Sequence, residues 1–69
     1  MIKVFKTSVH HQNDAKAIVA SLLTRYPGYR INFDLQDCDR ILRIEGSPFA
    51  ATEITVFLKC LGYLCVELH

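Results

Sequence analysis

The sequence predicts an α+β domain whose elements run strand, helix, strand, strand, helix, strand. Three observations predict it. Four stretches carry the two-residue alternation or the β-branched and aromatic content of strands. Two stretches between them repeat apolar residues at helical spacing. Each junction has its own turn or cap residues: Asn13-Asp14, Pro27-Gly28, residues 36–39, Gly46-Ser47-Pro48 and Gly62. Interleaving two right-handed crossovers in this order gives a four-stranded antiparallel sheet with two helices on one face, the ferredoxin-like βαββαβ sandwich.

The first strand spans about residues 2–9. Phe5, Thr7 and Val9 share one face, and Ile2 and Val4 share the other. The second face is apolar enough to suit association. Asn13 or Asp14 is the expected N-cap of the first helix. Ile18, Val19, Leu22, Leu23 and Tyr26 then form its apolar stripe, and Arg25 complements the negative end of its dipole. Pro27-Gly28 ends the helix. Residues 29–35 make the clearest strand, with Ile31, Phe33 and Leu35 alternating against Arg30, Asn32 and Asp34.

Gln36-Asp37-Cys38-Asp39 reads as a hairpin turn, because aspartate side chains readily bond the backbone there. The partner strand over 40–45 places Leu42 and Ile44 on one face and Ile41, Arg43 and Glu45 on the other. Ser47 is the expected N-cap of the second helix, with Pro48 at its first position. Ala51, Ile54, Phe57, Leu58 and Leu61 give this helix its buried stripe, and Gly62 sits at a natural C-cap. The last strand, about 63–68, carries Leu64, Val66 and Leu68 on one face and Cys65, Glu67 and His69 on the other.

Bulk properties narrow the function. The 69 residues form a single domain, residues 1–69, and 51% of them are hydrophobic. Eight Lys+Arg against seven Asp+Glu, scattered along the chain, lack the clustered basic face of a nucleic-acid binder. No apolar run reaches membrane-spanning length, and the N-terminal pattern goes straight into a strand without a leader signature. Three cysteines, Cys38, Cys60 and Cys65, without short repeated spacing fit a reducing compartment, so a cytoplasmic location is expected. No phosphate loop, nucleophile elbow or spaced histidine–carboxylate pair points to an enzyme.

The loop over residues 7–15, TSVHHQNDA, joins the first strand to the first helix and offers the free N–H groups of a helix N-terminus. His10 and His11 lie in it, and imidazole suits Zn, Cu(II) and Ni. In this topology the loop after the second helix approaches the same end, which makes Cys65 the candidate third ligand and Cys60 a weaker one. Asp34, Asp37 and Asp39 cluster at the hairpin turn and read as solvated turn formers, with Cys38 among them. Cys60 and Cys65 read as small apolar packing residues when no metal is involved.

Three further pieces carry a family resemblance: Val19-x-x-Leu22-Leu23 in the first helix, Ile31-Asn32-Phe33-Asp34-Leu35 after Gly28, and Leu61-Gly62-Tyr63 before the last strand. With these pieces the chain resembles the heavy-metal-associated domain of copper chaperones and metal-transporting ATPases along nearly its whole length. That family holds its ion with a Cys-x-x-Cys pair before the first helix. Registered on Val19, the two positions fall near Gln12 and Ala15, and neither supplies a thiolate.

The resemblance therefore implies a non-enzymatic binding or interaction domain on the same scaffold, without the thiolate site and with no cofactor. Its expected partner is another protein or a second copy, through the sheet face bearing Ile2, Val4 and Ile41 or through a strand edge. The alternative is a transition-metal binder that uses His10, His11 and Cys65. A ligand-sensing module of this topology would show Gly-rich ligand loops, which the chain lacks.

Overall fold

The computed structural model describes residues 1–69. Its elements are β1 (Ile2–Thr7), α1 (Gln12–Arg25), β2 (Arg30–Asp34), β3 (Ile41–Glu45), α2 (Ala51–Cys60) and β4 (Cys65–Leu68). They follow the expected order. The sheet runs β2-β3-β1-β4 with every neighbouring pair antiparallel, so β1 and β3 are central and β2 and β4 are the edges.

Register sets which residues face the helices. Phe5 lies opposite Leu42 and Glu67, and Thr7 lies opposite Cys65. Ile31 lies opposite Ile44 and Phe33 opposite Leu42. These positions share the helix-covered face, where Phe5, Leu42 and Ile44 are fully buried. Ala15, Ile18 and Leu22 of α1 and Ile54 and Leu58 of α2 close the core from above. Complete burial of one such Leu, Ile or Phe side chain stabilises the fold by roughly 1.5–3 kcal/mol.

Both helices start at other residues than their caps suggest. The N-cap of α1 is His11, whose extended backbone precedes Gln12, and its carbonyl accepts the Ala15 N–H at 3.0 Å. Asn13 and Asp14 lie inside the first turn instead, where the Asp14 charge still complements the dipole. In α2 the cap is Ala50, and Ser47 and Pro48 belong to the preceding loop. Here the Glu53 side chain accepts the Ala50 N–H at 3.1 Å, which is half of a capping box. Phe49, one residue before the cap, and Ile54, four after it, both join the core and staple the entry of the helix. Packing of Phe49 thus outweighs the local preference of Ser47-Pro48.

The far end of α2 closes as the sequence predicts. Gly62, at φ +95, donates to Lys59 O at 2.9 Å, and Tyr63 donates to Leu58 O at 3.0 Å. This pair of bonds is a Schellman motif, and it needs a residue that adopts left-handed backbone freely. The turn delivers the chain into β4 with Cys65 facing inward and Leu64, Val66 and Leu68 facing out.

An aromatic corner ties the other end of the sheet. Tyr26, Tyr29 and Phe49 pack in tilted and edge-on arrangements with ring centroids 5.2–6.3 Å apart. The Tyr29 hydroxyl donates to Ser47 O at 2.8 Å. Its ring lies so close to Gly46 that a Cβ there would come within 2.5 Å of it.

Candidate functional site

The loop after β1, the β2–β3 turn and the start of β4 meet at one end of the sheet. Thr7 holds them together. Its N–H donates to Asp39 O at 3.1 Å, and its hydroxyl donates to Arg40 O at 2.6 Å. The same hydroxyl accepts the Val9 N–H at 3.2 Å. Ser8 continues the join: its N–H donates to Leu64 O at 3.1 Å, and its Oγ accepts the Leu64 N–H at 2.9 Å. Arg40 adopts left-handed backbone at φ +49, and its guanidinium donates to Leu35 O.

Between these segments lies a cleft of about 280 Å³ lined by Lys6, Ser8, His10, Cys38, Arg40 and the apolar Leu64 and Val66, with Thr7 at its floor. His10 therefore shares its cleft with Cys38, not with Cys65. His11 is exposed and lies outside this lining. Cys65 points into the core, where burial pushes its thiol up to about 11. A thiol so disfavoured as thiolate is a poor metal ligand. Cys60, expected to pack, is exposed on α2, and Cys38 is exposed in its turn.

One group of three ligand-type side chains lies with its donor atoms within 4.8 Å of one another: Asp37, Cys38 and Asp39. Its geometry is that of a turn. Asp34 Oδ1 accepts the N–H groups of Gln36 and Asp37, Asp37 Oδ1 accepts the Asp39 N–H at 2.8 Å, and Asp39 pairs with Lys6 at 3.6 Å. That last pair is well exposed, so it contributes little to stability.

The open face of the sheet holds the second feature. Ile2 is half exposed, and Val4 and Ile41 are partly covered by their neighbours. Beside them on the β4 edge lie Leu64, Val66 and Leu68, exposed by 70%, 59% and 40%. Isolated exposed apolar residues are ordinary, but a contiguous stripe along a sheet edge is not. The opposite edge differs: the outward residues of β2 are Arg30, Asn32 and Asp34, the polar guard expected of an edge strand.

The sequence named Ile2, Val4 and Ile41 for this face but left open which side of β4 was buried. The signal lay in β1. Thr7, Phe5 and Val9 share the inward phase, and antiparallel pairing hands that phase to Cys65 and Glu67. The Glu67 carboxylate is accommodated on the covered side by Lys3 at 3.3 Å.

No helix is long and apolar enough to cross a membrane. Comparison with protein-family models, with curated proteins and with solved structures finds no match to this chain.

Proposed function

We propose that this chain is a small non-enzymatic interaction domain, similar in scaffold to heavy-metal-associated domains but without their thiolate site. It would work in a reducing compartment such as the cytoplasm by contact with protein through the open sheet face and the β4 edge. The observation that carries this reading is the uncharged stripe of Leu64, Val66 and Leu68 beside an unguarded edge. Apolar side chains supply contact energy there, and free backbone groups supply direction, the combination used in strand-addition interfaces.

The two positions that hold an ion in the resembling family fall here on Gln12 and Ala15 of α1, and the loop before them offers only two exposed histidines. Calorimetric titration with Zn²⁺, Ni²⁺ and Cu(I) under reducing conditions tests the reading. It predicts no saturable one-to-one binding. Tight stoichiometric uptake that disappears in His10→Ala/His11→Ala would overturn it.

A second reading is favoured by one observation: His10 and Cys38 line the same cleft. A transition-metal site there would use one imidazole and one thiolate, with further ligands from outside the chain. In the same titration, uptake lost in Cys38→Ser and kept in Cys65→Ala would support it.

A further inference from the structure

The β4 edge has a symmetry that selects its occupant. Ser8 and Leu64 exchange bonds across β1 and β4, and Lys6↔Val66 and Val4↔Leu68 follow two residues on in the same ladder. Backbone groups alternate along an antiparallel strand. Those of Leu64, Val66 and Leu68 therefore point to β1, and those of Cys65 and Glu67 point to the open edge. The segment Leu64-Cys65-Val66-Glu67-Leu68 is thus symmetric about Val66 in both respects: free backbone groups one residue to each side, and exposed leucines two residues to each side.

From this symmetry we infer that the edge pairs with a second copy of itself, antiparallel, about a two-fold axis through Val66. The inference rests on the reading of the chain as an interaction domain and names the partner.

In that register Cys65 and Glu67 exchange backbone bonds with Glu67 and Cys65 of the other copy. Val66 faces its own counterpart, and Leu64 faces Leu68. The seam on the open face is apolar throughout, and an isologous interface requires this self-complementarity. Charge permits it as well. The single charged residue of β4, Glu67, lies on the helix side; the two copies of it are diagonal across the pair, and each is already neutralised by Lys3 of its own chain at 3.3 Å. Because α2 packs against β4, the pairing also brings the two α2 helices alongside one another. A short edge with three apolar side chains from each copy falls below a standard-size interface, so the dimer is weak and concentration-dependent.

Sedimentation equilibrium combined with cysteine cross-linking tests this. The wild-type chain is expected to shift from one-chain to two-chain mass between about 10 µM and 1 mM, the regime of a small interface. Val66→Lys, at an exposed position, should remain monomeric with an unchanged circular dichroism spectrum. In a Cys38→Ser/Cys60→Ser background, Val66→Cys should form a covalent dimer under mild oxidation. Directly opposed non-hydrogen-bonded residues lie about 4.5 Å apart, within disulfide reach. Leu64→Cys, which faces Leu68, should not cross-link. A wild-type chain that stays monomeric at 1 mM would overturn the self-pairing, as would a dimer indifferent to Val66→Lys. Either result leaves the metal titration above to judge the broader reading independently.

Discussion

The Thr7 hydroxyl donates to the Arg40 carbonyl at 2.6 Å, joining residues 33 apart in sequence, and accepts the Val9 N–H at 3.2 Å. Thr7 is the one buried polar side chain of the domain. It holds the end of β1 against the left-handed turn before β3 and so fixes the floor of the cleft that His10 and Cys38 line.

Thr7→Val keeps the shape and removes the hydroxyl. The buried Val9 N–H then loses its acceptor, and a group left unsatisfied in this way costs about 1–3 kcal/mol. Thr7→Ser retains the bonds and should lose less. Denaturant unfolding of the two variants checks the order. A larger loss in Thr7→Ser than in Thr7→Val would show that the methyl, not the hydroxyl, carries the effect.

The cysteines should separate by reactivity. Cys38 and Cys60 are exposed and Cys65 is buried. A thiol reagent at pH 8 should therefore titrate two groups in the native protein and the third only after unfolding. Three fast-reacting thiols would contradict the inward placement of Cys65.

Alkaline pH should weaken the fold through the same residue. Burial holds the Cys65 thiol at about 11, above the ordinary 9.0. Between those values the unfolded chain releases a proton that the folded chain keeps. Stability is therefore fully present below about pH 9 and falls as pH rises toward 11. Tyr26 adds to the decline from its ordinary value of 10.0 upward, since burial and the Glu53 carboxylate both raise its phenol. Cys65→Ala should flatten the part of the curve that begins near pH 9. An unchanged curve would remove Cys65 as its cause.

Gly46 and Gly62 should tolerate alanine poorly for different reasons. At Gly46 a methyl meets the Tyr29 ring at 2.5 Å, and overpacking of this kind costs about 1–3 kcal/mol. At Gly62 space is open but φ is +95, so the cost is backbone strain of about 1 kcal/mol. Tyr29→Ala in the Gly46→Ala background should relieve the first clash, and a Tyr29 substitution should do nothing for Gly62→Ala. Thermal unfolding of the single and double variants reads both.

Much of the fold was legible in the sequence. Alternation in residues 29–35 and 40–45 marks the hairpin, and Ile18 and Leu22, with Ile54 and Leu58, mark the helix faces. The caps were less legible. Ser47-Pro48 is the better local start signal, yet Phe49 must reach the core before the helix can begin. The candidate site was the least legible part. In isolation Leu64, Val66 and Leu68 look like the buried face of β4, and Cys65, Glu67 and His69 look like the wet one. Only the pairing of Thr7 with Cys65, set by β1, decides which of the two faces is covered. Likewise, His10 shares a cleft with Cys38 rather than with Cys65 because Thr7 holds the β2–β3 turn against the loop after β1, a contact between residues far apart in sequence.

Native mass spectrometry of the reduced protein, after incubation with Zn²⁺ and Cu(I) and across a concentration series, weighs bound metal and bound chain together and so decides between an interaction domain and a metal binder. Metal-free species are expected at every concentration, with the two-chain mass growing as concentration rises. A one-chain species carrying one metal ion, lost in His10→Ala or Cys38→Ser, would contradict the interaction-domain reading.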